Sequence, residues 1–386
     1  MQIPFHKPNT PITLDEISSE SLKSGWLTTG PQVKKFEKML SKLVQSKYVV
    51  AVNSCTAGLH LAMAAKNFEK GDKFIVPTYT FVASVEIGEY LGMIPVLVDC
   101  DENFNIDIQQ VENLLKNDKK IKAIVPVHFA GMPVDMKSIN ELSQKFNIFV
   151  LEDAAHALET ISNAGKVGNT SCATAFSFYA NKNLTTGGEG GAVATNDKKL
   201  AEKIRKLSLH GMSKDGWKRF KSGSKWRYDV SELGYKYNIT DLAASYGIWQ
   251  FKYLNEWNMR REYLFKFYKN KFKNIEGIIC PNFAKSNEKH AYHLFIIKII
   301  PSCWKINRDK IIILLNDLGI GTSVHYIPIH MHSYYKKKYG YISKDFPNAE
   351  KFSENVISLP LYPELNDIQI KYVTQNIQKL WKKFKL

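Results

Sequence analysis

A lysine with the surroundings of a reactive amine lies at position 182, between an apolar run at 173–179 and a glycine-rich segment at 187–191. Partial removal from water makes an amine lose its proton more easily, and glycines let a flat ligand approach the backbone closely. Both are conditions for a lysine that forms a Schiff base with a carbonyl ligand. The glycines match neither GxGxxG nor GxxxxGK[ST], so they do not indicate a nucleotide site. Taken alone, a lysine in a loop is most often a surface residue.

Three other predicted strand ends carry a carboxylate, hydroxyl groups and an aromatic ring. Asp153 could bond a pyridine nitrogen, with His156 beside it, or it could cap a helix that begins at Ala154. Residues 53–58 could cradle a phosphate through hydroxyls and backbone N–H groups, or serve as an ordinary helix cap. Phe81 could stack on a ligand ring or pack in the core. Together with the amine, these groups describe one phosphorylated pyridine cofactor.

The elements that must position these residues are predicted from short apolar runs that alternate with amphipathic stretches. The pattern is typical of an α/β/α sandwich with a mostly parallel seven-stranded sheet, in which ligands bind at the carboxyl ends of the strands. The predicted strands are 48–53, 73–78, 94–100, 121–129, 147–153, 173–179 and 191–196. Predicted helices include 56–66, 106–116 and 138–145.

The composition of the sequence changes after about residue 245, where helical stretches rich in Lys, Tyr and Phe begin. A long helical stretch at 247–272 precedes two further predicted strands, 292–300 and 321–327. We therefore expect a large ligand-binding domain over residues 1–245, with an N-terminal arm, and a smaller α+β domain over residues 246–386.

Composition argues against several other classes of protein. The 386 residues are 44% hydrophobic, enough for a sizeable core, and the net charge of +16 is spread over segments that also carry acidic residues. We therefore expect no nucleic-acid partner, and a basic surface that favours phosphorylated substrates. The five cysteines are scattered without CxxC spacing, so we expect neither a metal site nor disulfides. No signal peptide or membrane span is evident, which predicts a cytoplasmic protein.

Ten segments in order along the chain resemble the DegT/StrS-type sugar aminotransferases, which have the aspartate-aminotransferase-like fold, type I among pyridoxal phosphate (PLP) enzymes. The segments are 25–38, 53–62, 76–84, 125–136, 152–158, 176–191, 209–212, 232–245, 319–335 and 358–367. The resemblance covers nearly the whole chain. It implies PLP as cofactor, a pyridoxamine phosphate intermediate, and a homodimer whose active sites are shared across the interface.

The resemblance also implies roles for individual residues. Lys182 is the catalytic residue, which binds PLP covalently and moves the proton. The further cofactor-binding residues are Thr56, Ala57, Phe81, Asp153, His156, Ser177 and Asn238, the last from the neighbouring subunit. The candidate substrate-binding residues are His325, Tyr326, Lys236 and Trp217. The turn after Lys182 has one glycine more than in many relatives, and Cys55 replaces a more frequent Gly or Ala.

The implied reaction transfers an amino group from L-glutamate to a nucleotide-linked 4-keto sugar. The segments around residues 235–238 and 323–330 are most similar to those of relatives that aminate carbon 4 of UDP-linked sugars. This predicts a role in amino sugars for bacterial surface glycans such as lipopolysaccharide O-antigen. The alternatives are a 3-keto dTDP-sugar aminotransferase, a PLP sugar dehydratase and a catalytically silent sugar-nucleotide binding or regulatory protein. Related dehydratases carry His where this chain has Lys182, and an intact Phe81, Asp153 and Lys182 argues against a silent protein.

Overall fold

The seven strands predicted in the first half of the chain form one sheet. The computed structural model describes residues 1–11, 13, 15–212 and 229–386. The strands are β1 (Tyr48–Val52), β2 (Lys73–Pro77), β3 (Ile94–Val98), β4 (Ile121–Ile124), β5 (Phe149–Asp153), β8 (Ala173–Ser177) and β9 (Gly191–Thr195). A small hairpin of β6 (Ile161–Ser162) and β7 (Gly165–Lys166) lies outside this sheet.

The strand order across the sheet is β1-β9-β8-β5-β4-β2-β3, and β9 runs antiparallel to both of its neighbours. The other pairings are parallel. The predicted mostly parallel seven-stranded sheet is therefore confirmed. Its strands read as continuous apolar runs because both faces are covered: Val50 and Val52 of β1 join one buried cluster, whereas Val49 and Ala51 join another.

Helices connect the strands and supply the covering layers. They are α1 (Asp15–Ser24), α2 (Pro31–Val44), α3 (Cys55–Ala64), α4 (Ala83–Glu89), α5 (Ile108–Asn117), α6 (Met136–Phe146), α7 (Lys198–Leu207) and α8 (Asp241–Phe251). The carboxylates of Asp107, Asp135 and Asp197 cap α5, α6 and α7, which explains where these helices begin. In the part of the chain that the structure describes, no helix combines the length and apolarity needed to cross a membrane.

A second, three-stranded antiparallel sheet lies in the last third of the chain. It consists of β10 (Ile278–Ile279), β11 (Phe295–Ile299) and β12 (Val356–Leu359). The helices here are α9 (Leu254–Phe272), α10 (Arg308–Asp317), α11 (Ser333–Tyr339), α12 (Pro347–Asn355) and α13 (Asp367–Phe384). They bury a separate core around Tyr268, Phe272 and Phe295. The predicted domain boundary at residue 245 stays a prediction.

The predicted strand at 321–327 is wrong. Its backbone pairs with β12 only at Ser323, which exchanges two hydrogen bonds with Ser358. Beyond that point the carbonyl of His325 accepts a hydrogen bond from the hydroxyl of buried Tyr79 (2.7 Å), and Pro328 has no N–H for a ladder. Side-chain contacts therefore replace strand pairing in this segment, and they hold it against the large sheet.

The N-terminal arm, residues 1–9, links the two cores. Ile3 is buried in the core of the second sheet and exchanges backbone hydrogen bonds with Gly319 and Gly321 (2.8 Å each). At the other end of the arm, the carbonyl of Asn9 accepts hydrogen bonds from Tyr246 (3.1 Å) and Gln250 (2.8 Å) of α8. Both ends of the arm are thus fixed to different parts of the molecule.

Candidate active site

The strand ends that the sequence singles out converge on one cavity of about 550 Å³. It lies at the carboxyl ends of β1, β2, β5 and β8, where ligands bind in sheets of this kind. The predicted site residues that line it are Thr56, Phe81, Asp153, His156, Ser177, Lys182, His325 and Tyr326. His325 and Tyr326 come from the segment that packs against the large sheet after Ser323, so residues far apart in sequence build the cavity.

Lys182 is partly buried, and its amine is less basic than that of an ordinary lysine. Burial lowers the pKa of Lys182 to about 8, although the nearby Asp153 carboxylate opposes that shift. The loop around it is fixed by its own backbone: the N–H of Lys182 bonds the carbonyl of Tyr179 (3.0 Å), and Thr186 bonds that of Phe178 (3.1 Å). Gly187 and Gly188 of this loop both have positive φ (88° and 141°), which glycine adopts without strain.

Asp153 ends β5 and presents a fixed carboxylate to the cavity. One oxygen accepts a hydrogen bond from the Ser84 hydroxyl (2.6 Å) and the other from the N–H of Ala155 (3.0 Å). Thr80 in turn bonds Ser84 (2.9 Å between the two hydroxyl oxygens). The alternative that Asp153 caps a helix is wrong, because the residues that follow form turns.

The neighbour of Asp153 anchors the same strand end from the other side of the sheet. Glu152 is fully buried and accepts hydrogen bonds from His128 (2.8 Å), Thr170 (2.8 Å) and Ser171 (2.5 Å). Burial alone would raise the pKa of Glu152, but these hydrogen bonds, led by that from His128, hold it below its usual value. The strand end that carries Asp153 is therefore rigid.

The first turn of α3 faces the cavity through Ser54, Cys55 and Thr56. Ser54 caps the helix by accepting the N–H of Ala57 (3.0 Å), so Ala57 is buried and does not itself line the cavity. The unpaired N–H groups and dipole at a helix start attract a phosphate. Gly191 permits this placement, since a Cβ there would lie 2.4 Å from the carbonyl carbon of Ser54.

His156, Tyr326 and Phe81 form an aromatic wall of the cavity. The N–H of Ala130 donates to Nδ1 of His156 (3.2 Å), and Nε2 of His156 lies 3.3 Å from the Tyr326 hydroxyl. Burial holds the pKa of His156 well below its usual range, so the ring is neutral and Nε2 carries its proton. The Phe81 ring is 57% exposed and lies 5.8 Å from that of Tyr326.

His325 lines the cavity from the segment that follows Ser323. Its Nδ1 lies 2.8 Å from the Ser358 hydroxyl, and burial lowers its pKa to about 4. A neutral imidazole at this point offers a directional hydrogen bond to a polar ligand without adding positive charge beside Lys182.

Besides Ala57, two predicted site residues do not line this cavity, Asn238 and Lys236, and one cannot be placed. The amide of Asn238 donates to the Thr29 hydroxyl (2.8 Å) and accepts from the Lys236 amine (2.6 Å), so these two predicted residues contact each other outside the cavity. Trp217 lies outside the described residues.

The residue-by-residue predictions missed several groups of the cavity. Ser84 supports Asp153, while Tyr179, Asn181 and Glu189 line the wall. Ser84 lies in the first turn of α4, whereas Thr80 precedes the helix, so no regular spacing in the sequence indicated their contact. Asn181 is adjacent to Lys182 in sequence, but no residue type or spacing showed that it would face the cavity.

The chain belongs to the DegT/DnrJ/EryC1/StrS aminotransferase family, whose model matches residues 13–378. It is 44% identical over 366 residues to the spore coat polysaccharide biosynthesis protein SpsC of Bacillus subtilis, covering 94% of this chain and 93% of SpsC. It is 35% identical over 367 residues to the UDP-4-amino-4-deoxy-L-arabinose–oxoglutarate aminotransferase of Shewanella sediminis, covering 94% of each protein.

The fold agrees with that of a solved relative. Spr1654 from Streptococcus pneumoniae, which is assigned as a sugar aminotransferase, superposes in its pyridoxamine phosphate form with a TM-score of 0.90 at 31% identity, over 99% of this chain and 100% of that one. Its PLP form gives 0.89. The protein is therefore a PLP-dependent sugar aminotransferase.

The groups that face the cavity fit this cofactor. Asp153 would hold the pyridine nitrogen, Lys182 would bind the aldehyde carbon, and the start of α3 with Ser177 would hold the phosphate. PLP, when bound, accepts electrons from the carbon that carries the amino group and so makes that carbon acidic. The Lys182 amine, with its lowered pKa, would take that proton and return it to the cofactor carbon on the other side of the nitrogen.

Proposed function

We propose that the protein transfers the amino group of L-glutamate to carbon 4 of a UDP-linked 4-keto sugar, and that it acts as a homodimer with shared active sites. The product would be an amino sugar for bacterial surface glycans such as lipopolysaccharide O-antigen. Under this proposal the cofactor occupies the cavity around Lys182, and the sugar approaches it past His325 and Tyr326.

A second cavity beside the first carries the proposal of a nucleotide-linked substrate. It has a volume of about 760 Å³ and shares Thr80, Phe81 and Tyr326 with the cavity around Lys182. A keto sugar alone would not need this space. A ligand that spans both cavities has a reacting part and a bulky remote part, as a nucleotide sugar does.

The lining of the second cavity suits such a remote part. The rings of Tyr90 and Tyr334 are more than half exposed and offer faces on which a base can stack. Lys338 also lines it, although its ammonium is already paired with Glu89 (2.7 Å). We therefore propose that the base stacks on Tyr90 and Tyr334, and that groups other than Lys338 bind the diphosphate.

The names of the relatives support the finer assignments. The Shewanella sediminis protein is named for a UDP-linked sugar aminated at carbon 4 and for oxoglutarate, the keto acid that glutamate becomes on losing its amino group. SpsC is named for a surface polysaccharide. We also propose a cytoplasmic location, because the five cysteines are all free, as is usual in a reducing compartment.

The position of Asn238 supports the proposal of shared sites. It does not line the cavity of its own chain, where its side chain contacts Thr29 and Lys236 instead. Leu233, in the same segment, is 89% exposed, so its side chain is accessible to a second subunit.

A substrate panel tests the proposed function. The purified protein is incubated with PLP, L-glutamate and either UDP-linked 4-keto sugars or dTDP-linked 3-keto sugars, and products are identified by mass spectrometry and NMR. The proposal predicts 2-oxoglutarate together with an amine at carbon 4 of a UDP-sugar. Amination only of the 3-keto dTDP-sugars, or only of free sugars, would contradict it.

A further inference from the structure

The N-terminal arm passes directly behind the active-site cavity. The ring of Phe5 lies 5.5 Å from that of His325, and the ring of the next residue, His6, bonds the backbone carbonyl of Ala180. Since a carbonyl only accepts, the nitrogen of His6 that makes this bond carries the proton. Ala180 is two residues before Lys182, so the arm contacts the loop that holds the reactive amine.

Two buried polar atoms near this contact lack partners. Among the described residues, neither Nε2 of His6 nor Oδ1 of Asn181 has a hydrogen-bond partner, and both atoms are inaccessible from outside. Burial, with the nearby charge of Arg261, lowers the pKa of His6 to about 4, so the ring is neutral at physiological pH. Nε2 is then an acceptor, as the amide oxygen of Asn181 is, and two acceptors cannot bond each other.

Both residues line one small space. It leaves about 10 Å³ for the centre of a water molecule and is also bordered by Phe5, His293, Leu294, Leu359 and Leu361. That volume is close to the smallest that holds one water. A water has two O–H donors, which matches the two unpaired acceptors.

We propose that His6 is a positioning residue of the aminotransferase, and that it acts through one buried water that donates to His6 Nε2 and Asn181 Oδ1. Asn181 lines both the small space and the cavity around Lys182. With its oxygen held toward the arm by the water, its NH₂ group is turned to the active-site cavity. There it serves as a hydrogen-bond donor for an oxygen of the amino-acid or sugar substrate beside Lys182.

This assignment explains why the arm is fastened at both ends. A residue outside the large sheet supplies the acceptor that orients Asn181, so the arm must keep its place relative to the loop of Lys182. The backbone pairing of Ile3 and the hydrogen bonds to Asn9 provide that constraint.

Crystallography of the PLP-loaded protein tests the water directly. At a resolution that shows ordered waters, we expect density within hydrogen-bond distance of both His6 Nε2 and Asn181 Oδ1. In the His6→Phe variant that density should be lost, whereas His6→Gln, which keeps an acceptor, should retain it. A dry space in the unaltered protein would overturn the proposal, whatever the variants do.

Single-turnover kinetics test the positioning role. The PLP form is mixed with L-glutamate, and the loss of the absorbance of PLP is followed. If L-glutamate does not react, the fastest-reacting of the twenty amino acids replaces it. This choice of donor keeps the test independent of the proposed function. His6→Phe and Asn181→Ala should each slow the reaction by roughly tenfold, and the double variant by no more than either alone.

The controls separate positioning from general damage to the arm. Lys7→Ala removes the exposed ion pair of Lys7 with Glu364 one residue away, and it should leave the rate unchanged. His6→Gln should restore the rate to within about threefold of the unaltered protein. Multiplicative losses in the double variant, or an equal loss in Lys7→Ala, would show that Asn181 does not depend on His6.

Discussion

Lys182 and Asp153 face the same cavity, the first as an amine with a lowered pKa and the second as a carboxylate held by two hydrogen bonds. The amine owes its pKa of about 8 to burial, and the carboxylate owes its position to Ser84 and the N–H of Ala155. The lowered pKa of Lys182 and the hydrogen bond from Ser84 to Asp153 can each be tested separately.

The rate at which the cofactor-free protein binds PLP covalently should depend on the fraction of Lys182 that is deprotonated. Only the free amine attacks the aldehyde, and the free fraction rises with pH through the pKa of about 8. We therefore expect the uptake rate to rise with pH and to level off above about 8, as measured by absorbance in stopped flow. N-acetyl-lysine, titrated in parallel, corrects for the ionisation of PLP itself. A rate that keeps rising to the usual lysine range near 10.4 would contradict the burial argument.

Loss of the Ser84 hydroxyl should weaken cofactor binding. In Ser84→Ala, Asp153 loses the donor that orients one of its oxygens, and a lost hydrogen bond to a buried charge costs about 1.5–3 kcal/mol. We expect the dissociation constant for PLP, measured by fluorescence titration, to rise at least roughly tenfold. Ser84→Thr keeps a hydroxyl and should bind PLP nearly as well as the unaltered protein. Equal affinities of Ser84→Ala and Ser84→Thr for PLP would show that the Ser84 hydroxyl does not contribute to cofactor binding.

At the scale of the element, the close packing of β9 against the start of α3 sets the proposed phosphate site. Gly191 should not tolerate a side chain, because its Cβ would lie 2.4 Å from the carbonyl carbon of Ser54 and 2.6 Å from the nitrogen of Cys55, both of them backbone atoms. We expect Gly191→Ala to lower the free energy of unfolding by about 1–3 kcal/mol and to weaken PLP binding as well.

Chemical denaturation with and without PLP checks this expectation. Gly58→Ala, in α3 itself, is the matched control, since its Cβ would approach only side chains, the nearest at 3.1 Å. If Gly58→Ala and Gly191→Ala weaken PLP binding equally, the strand does not set the position of the helix start.

The elements themselves were largely predictable from the sequence. Buried parallel strands read as unbroken apolar runs, so all seven strands of the large sheet were found. Their ends lie within two residues of the prediction except in β4, which ends at Ile124 and not at residue 129. The strand prediction failed at 321–327, where the backbone carbonyl of His325 accepts a hydrogen bond from Tyr79 and not from a neighbouring strand. A hydrogen bond to a side chain more than two hundred residues away leaves no local trace in the sequence.

The site was predictable to the extent that it lies at strand ends. Asp153 is the last residue of β5 and Lys182 lies in the loop that follows β8, so the parallel pairing of these neighbouring strands brings them together. Asn181 and Ser84 were not predicted as site residues, because their roles depend on side-chain directions within turns. The arm could not be placed either, since its contacts with Ala180 and His325 join residues far apart in sequence.

At the scale of the whole molecule, the proposal of shared active sites predicts complementation between two inactive variants. Lys182→Ala lacks the catalytic amine, and Asn238→Ala lacks the group proposed to act in the partner's site. Refolding them together in equal amounts should form hybrid dimers with one intact site, and about a quarter of the unaltered activity should return. Activity is measured with the amino donor and keto sugar identified in the substrate panel.

The control for complementation is a chain that carries both substitutions. Mixed with either single variant, it should restore nothing, because no intact site can form. If the two single variants restore nothing either, Asn238 does not act across an interface.

The central claim is that Lys182 holds the cofactor, and peptide mapping after chemical reduction tests it most directly. The PLP-loaded protein is treated with borohydride, which makes the bond between an amine and PLP permanent, and is then digested and examined by mass spectrometry. The structure predicts the phosphopyridoxyl group on Lys182 and no stable labelling in Lys182→Ala. A label on another lysine, with Lys182 unmodified, would contradict it.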